Sequence, residues 1–219
     1  MRFNRENFNR HLNNIGQRVL WARNWACPCR NQQSGSADPT CPLCTGMGRL
    51  WDPGIEMVVG VASQETQMKW AKLGQWEHGD MVVSLPEDQP AWDWGGQYDR
   101  VTTLDGLDGF SDVLVHGAPT ERMRRPAVNI TRVFWRSADK LSIVEGGIPE
   151  VNERGRLTWP NGGEPPAGTQ YTITGERYSE YFMLDAYPSD RNEHQGMRLP
   201  KRIVLRKFDL YGRGARNIS

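Results

Sequence analysis

Four cysteines confined to one short stretch constrain this chain more than any other feature. They read Cys27-Pro28-Cys29, eleven further residues, then Cys41-Pro42-Leu43-Cys44, with Gly46 and Gly48 directly after, and the chain holds no other cysteine. Two close thiol pairs across a short loop make a four-thiolate zinc pattern. Placing both sulfurs of a pair on one ion demands tight turns. Pro28 and Pro42 preset φ, while Gly46 and Gly48 reach backbone conformations closed to other residues. Two disulfides or four free thiols are the alternatives. None of the four histidines, His11, His78, His116 and His194, falls within the cluster.

The donor set also indicates the kind of site. A catalytic zinc keeps one position open for water beside three protein ligands. Here Cys27, Cys29, Cys41 and Cys44 fill all four positions, and Asp38 is the sole carboxylate in the loop. The expectation is a closed, structural zinc. Residues 30–40 carry no core-forming side chain except Ala37, so metal binding would supply the order that apolar burial cannot.

At 219 residues the chain is one large domain or two small ones. Its 27 basic and 26 acidic side chains nearly balance, which makes neither a strongly basic nucleic-acid binder nor an acidic tail the default. No apolar run reaches the roughly 18 residues of a transmembrane helix. The start, Met1-Arg2-Phe3-Asn4, is polar, so no signal peptide is expected. Thiolate ligands without an export signal point to synthesis in a reducing cytosol, and Asn129-Ile130-Thr131 then reads as a chance glycosylation sequon.

The 23 glycines, 14 prolines and nine tryptophans fit a β-rich chain with long loops. One helix is expected, over about residues 4–20, from Phe8, Leu12, Ile15 and Val19 at helical spacing. Asn4 is positioned to cap it, Phe3 and Phe8 match a hydrophobic staple, and Gly16 weakens its second half. It packs either on its own domain or on a neighbouring subunit. The zinc module follows over 21–52, with Trp21, Trp25 and Trp51 expected to cover the thiolates. From Glu56 onward short strand signals recur near 57–61, 80–85, 111–115, 128–135, 141–144, 156–159, 170–174, 181–187 and 202–210. Turn residues between them argue for an antiparallel sandwich or barrel. The fold class expected is therefore mainly β: an N-terminal helical arm (1–20), a four-cysteine zinc module (21–52) and an antiparallel β-sandwich or barrel (53–219).

Two loops carry aromatics. Residues 86–100 hold Trp92, Trp94 and Tyr98, either as a contact surface or folded back on the sheet. Residues 155–173, around Trp159, read as a hairpin with a wide, rigid turn. Catalytic motifs are absent: there is no GxSxG elbow, phosphate loop, HExxH or GxGxxG. Asp105, Asp108 and Asp112 read as a solvated acidic loop, since the twelfth position of a calcium loop would be His116. His78 and His116 are each conceivable bases, though a lone histidine at a strand end is more often packed or at the surface. No enzyme is expected. Arg122, Arg124 and Arg125, and Lys201, Arg202, Arg206 and Lys207 on the last strand, are read either as solvated charge or as a basic patch for phosphate or an acidic partner.

The ordered string also resembles the head–tail neck or connector proteins of contractile-tailed bacteriophages. The residues that carry the resemblance are the Phe3/Phe8 helix, Gly16-Gln17-Arg18-Val19-Leu20-Trp21, Cys27-Pro28-Cys29-Arg30 and Asp38-Pro39-Thr40-Cys41-Pro42-Leu43-Cys44-Thr45-Gly46-Met47-Gly48. Gly79-Asp80, Gly155-Arg156-Leu157-Thr158-Trp159, Pro166-Ala167-Gly168-Thr169-Gln170-Tyr171 and Leu199-Pro200-Lys201-Arg202 continue it. The resemblance implies a virion protein assembled in the host cytoplasm as a homo-oligomeric ring. Its neighbours would be portal, neck or tail proteins, with DNA passing weakly contacted through the channel and no membrane involved. A CxxCxGxG string also occurs in DnaJ-type co-chaperones, but four times over, whereas here it occurs once with a CxC partner. Two readings of other classes stand beside the neck protein. One is a zinc-ribbon nucleic-acid or regulatory module; the other is a glycan hydrolase, motivated by the tryptophan-rich loops alone.

Overall fold

Val19 and Trp21 decide the path of the N-terminal segment. In the computed structural model, which describes residues 5–44, 46–62, 79–123, 125–152, 155–186, 193–194 and 196–208, helix α1 (Arg5–Ile15) stops before Gly16. Strand β1 (Gln17–Ala22) follows, where a helix to residue 20 was expected. The correction has a simple cause. Val19 and Trp21 are both fully buried on one face of a strand, a period of two, and β1 is hydrogen-bonded on both sides, which outweighs the helical spacing shared by Ile15 and Val19. Phe3 and Asn4 lie outside the described residues, and with them the Asn4 cap and the staple to Phe8.

The remaining strands, in chain order, are β2 (Asn24–Ala26), β3 (Arg49–Trp51), β4 (Ile55–Val61), β5 (Met81–Leu85), β6 (Arg100–Val115), β7 (Asn129–Arg136) and β8 (Ile143–Glu145). Then come β9 (Glu150–Val151), β10 (Leu157–Thr158), β11 (Gln170–Ala186), β12 (Glu193–His194), β13 (Met197–Arg198) and β14 (Lys201–Lys207). A four-residue helix, α2 (Ala91–Trp94), interrupts the loop after β5. No helix among the described residues is long and apolar enough to cross a membrane.

The main sheet runs β14-β5-β4-β1-β6-β11-β7-β8, and β11 also pairs with β14. That extra pairing closes β14, β5, β4, β1, β6 and β11 into a six-stranded antiparallel barrel. A register shift in β11 between Met183 and Asp185 bends the strand where it meets β14. The barrel core takes alternate residues from each strand: Val19 and Trp21, Met57 and Val59, Val83 and Leu85, Ile203 and Leu205. Val82 and Val204 are buried on the opposite face, so β5 and β14 are covered on both sides. Each of these large side chains, once buried, contributes on the order of 1.5–3 kcal/mol against conformational entropy.

The chain divides into two compact units, Met1–Asp105 with Ser179–Ser219, and Gly106–Tyr178. The first holds the barrel and the cysteine segment. The second is a sheet from the far part of β6, the near part of β11, β7 and β8, with the small β9–β10 hairpin. Phe110, Met123, Val133, Tyr171 and Ile173 form its core. The hairpin expected over 155–173 is different in detail: Leu157 pairs back with Val151, and Tyr171 pairs with Trp135 of β7.

Of two polar segments, one folds differently from expectation and the other takes one of its two expected forms. Asp105, Asp108 and Asp112 lie on β6, not in a loop. Asp105 accepts hydrogen bonds from the backbone N–H (2.6 Å) and Nε (2.9 Å) of Arg18, and Asp112 from Nη1 of Arg177 (3.4 Å). The tryptophan-rich loop folds back on the barrel. Trp92 is buried and donates from Nε1 to the Leu199 carbonyl (2.9 Å), Trp94 packs against the same core, and Tyr98 stacks on Phe182.

Candidate metal centre

Strands β2 and β3 lift the cysteine segment off the barrel as an antiparallel pair, with Asn24 opposite Trp51, Trp25 opposite Leu50 and Ala26 opposite Arg49. The Cys27 amide continues the ladder to the Gly48 carbonyl (2.9 Å). Beyond that point the first cysteine pair lies in a turn closed by the Arg30 amide on the Cys27 carbonyl (3.1 Å), and a second turn, closed by the Met47 amide on the Cys44 carbonyl (3.0 Å), follows the second pair. Between the two knuckles the polar loop is held by local hydrogen bonds. The Gln33 and Ser34 amides both donate to Asn31 Oδ1 (2.9 Å each), and the Thr40 amide to Asp38 Oδ1 (2.8 Å).

Gly48 shows why this turn needs glycine. Its φ is +69°, and a Cβ there would stand 2.9 Å from Cβ of Ala37. Its amide donates to Sγ of Cys44 (3.2 Å), so one residue both turns the chain and aims a hydrogen bond at a thiol.

The four sulfurs of Cys27, Cys29, Cys41 and Cys44 lie within 4.8 Å of one another. Cys27 and Cys41 are 3.9 Å apart at Sγ, and Cys29 and Cys44 are 3.4 Å apart. A tetrahedral zinc with bonds of about 2.3 Å would hold its sulfurs about 3.8 Å apart, so one ion fits among these donors with small adjustments. Disulfides need about 2.05 Å, and all four cysteines are free thiols. Cys27, Cys41 and Cys44 are buried and Cys29 is half-buried. The tryptophans expected to cover the thiolates do not. Leu50 is the buried residue that clusters with the cysteines; Trp21 belongs to the barrel core and Trp51 to a cluster with Ala22, Phe182 and Phe208. Trp25 is exposed, with its Nε1 donating to Asp52 (2.6 Å) and the Arg23 guanidinium 4.2 Å above its ring.

Burial pushes the Cys27 thiol up, and pushes Cys29 up to about 12 against the hydrogen bond from the Asp38 amide. Cys44 resists the same burial: the Gly48 amide and the three neighbouring thiols bring it down to about 7. Metal-free, the cluster thus favours one thiolate at Cys44. Filling the site displaces protons from the others, so metal affinity falls as pH drops.

The other charged groups are held in separate places. Barrel residues Arg100 and Glu180 form a buried ion pair, and Arg206 chelates Asp80 through Nε (3.1 Å) and Nη2 (3.0 Å). Lys201 lies 4.1 Å from the ring centre of Trp92. His116 Nδ1 (2.9 Å), Tyr171 O–H (2.7 Å) and the Gly117 amide (2.8 Å) all donate to Glu121, with Trp159 edge-on to both rings. Sequence reasoning missed this cluster because its members are up to 55 residues apart (116 to 171) and join only when β11 lies beside the loop after β6. His78 and Arg124 lie outside the described residues.

No protein-family model matches the chain, and no curated protein matches it.

Proposed function

We propose that this chain is a non-enzymatic virion component, a head–tail neck protein of a tailed phage, in which the four cysteines hold one structural zinc. The observation that carries the reading is the closed donor set. Four thiols converge within 4.8 Å, so the ion would have no open position and its work would be to hold shape. A segment of polar turns, cross-linked on itself by a metal and joined to a rigid barrel through β2 and β3, suits a part that must keep its form under load. The distribution of exposed apolar side chains supports an assembling protein. Among the described residues, Leu107, Val113, Val115, Leu141, Ile143 and Ile148 stand exposed in the second unit and are open to a partner.

The ring, its portal or tail neighbours and the DNA channel follow from the resemblance and belong to the same proposal. The nucleic-acid reading rests on weaker ground. Of the residues that motivated it, Arg206 is held by Asp80 and Lys201 by the Trp92 ring, which leaves less free charge for phosphate. Mass spectrometry of purified particles from the producing host tests the proposal. The chain is expected in stoichiometric amount among virion proteins, and its absence from particles would refute the assignment.

A further inference from the structure

We propose that the four-cysteine lobe is also an oxidation site, at which a peroxide exchanges the metal for two cross-loop disulfides, Cys29–Cys44 and Cys27–Cys41. The pairing comes from the geometry. Sγ of Cys29 stands 3.4 Å from Sγ of Cys44, and Sγ of Cys27 stands 3.9 Å from Sγ of Cys41. Each pair takes one sulfur from each knuckle. Pairing within the first knuckle is disfavoured, because the turn bond from Arg30 N–H to the Cys27 carbonyl holds Cys27 and Cys29 in one folded turn. A Cys27–Cys29 bridge would also have to reach a Cβ–S–S–Cβ dihedral of about 90° within a three-residue ring.

Access sets the order of events. Cys27, Cys41 and Cys44 are 2%, 7% and 1% exposed, and Cys29 is the half-buried member. With a metal bound, Cys29 would be held as a thiolate, and it attacks one oxygen of hydrogen peroxide; the O–O bond breaks, the departing hydroxide takes a proton as water, and Cys29 becomes a sulfenic acid. The Cys44 thiolate then attacks the Cys29 sulfur. The S–S bond forms, the S–O bond breaks, and the second hydroxide leaves as water after taking a proton. The same two steps join Cys27 and Cys41. In sum, two peroxides are reduced to four waters, four thiolates lose four electrons, four protons are consumed and the metal departs as a dication.

The product keeps the lobe closed, since both bridges tie the first knuckle to the second as the metal does. The chemistry is a property of the chain itself. Its use rests on the assembly reading: a particle built in a reducing cytoplasm and released into an oxidising medium would keep the lobe folded after its metal is lost.

The test uses the full chain, purified under reducing conditions, with its metal content measured before oxidation. It is titrated with hydrogen peroxide, metal release is followed with a chromogenic chelator, and the unreduced protein is digested with trypsin. Cleavage after Arg23, Arg30 and Arg49 separates residues 24–30, which hold Cys27 and Cys29, from 31–49, which hold Cys41 and Cys44. The proposal expects one ion released per two peroxides, and the two peptides joined as one species whose fragmentation reads 29–44 and 27–41. Separate peptides, the opposite cross-pairing or bridges between chains would overturn it. Loss of one cysteine can itself unfold the lobe, so the wild-type mapping decides, with Cys41→Ser as a second reading that should still form 29–44. The pairing is read whether or not metal is present at the start, so a metal-free chain would count against the metal centre separately, and absence from virions against the assembly reading alone.

Discussion

Cys44 carries the Gly48 amide on its sulfur and has the Cys29 sulfur 3.4 Å away. Cys44→Ser and Cys27→Ser are each expected to abolish stoichiometric zinc, measured by elemental analysis of the purified protein; zinc equal to wild type would contradict the ligand assignment. Gly48→Ala keeps every ligand but forces a side chain into a left-handed backbone and against Ala37. It should cost roughly 1–3 kcal/mol and weaken zinc retention in a chelator competition. Glu121 gives a pH prediction in the other unit. Burial raises its carboxyl, but the hydrogen bonds from His116, Tyr171 and Gly117 and the nearby His116 charge win, and it sits below the ordinary 4.5. A lowered carboxyl binds fewer protons folded than unfolded, so its contribution is present above about pH 4.5 and is lost as pH falls through the folded value. Glu121→Gln should therefore flatten the acid limb of the stability curve, read from urea midpoints between acid and neutral pH; an unchanged slope would show that Glu121 does not titrate as described.

At the scale of elements, metal removal should loosen one segment and spare the rest. A strong chelator is expected to raise amide exchange across residues 24–51 while β4, β5 and β14 keep their protection, because the polar loop lacks a core of its own and those strands are buried in the barrel. Uniform loss of protection would show that the lobe and barrel unfold together. The same contrast explains what the sequence made legible. The cysteine site was readable because ligand chemistry repeats locally, within 18 residues from Cys27 to Cys44. β4, β5, β7 and β14 were readable because apolar runs with a strand's residues end at turns. β1 was not, since Val19 fits both a helical and a strand period and only pairing with β4 and β6 decides. β11 read as two strands because its middle, Gly175 to Glu180, looks polar, yet it is one strand of 17 residues that continues through both units. The acids of β6 looked like a loop because their partners, Arg18 and Arg177, are 87 and 65 residues away. The tryptophans of 91–94 gave no direction of their own; the Leu199 carbonyl that receives Trp92 sets it.

For the whole molecule, barrel closure takes the edges of six strands out of play, and one ion pair is buried on the barrel's outer face beside Phe208. The Arg100 and Glu180 side chains are each 6% exposed, and the Arg100 guanidinium also lies 5.1 Å from the Phe208 ring centre. Glu180→Ala removes one charge of a buried pair and should cost about 3–5 kcal/mol in global unfolding, measured by denaturant titration. A cost below 1 kcal/mol would mean that water reaches the pair. The proposal takes the candidate metal site, the barrel and the exposed apolar side chains as belonging to a part built to be assembled. Everything in that account depends on the cysteines being ligands, and native mass spectrometry of the full chain, purified under reducing conditions, tests this most directly. One zinc per chain, with four ligand protons displaced, is the predicted mass; a chain at its metal-free mass, or one short by the hydrogens of two disulfides, would contradict it.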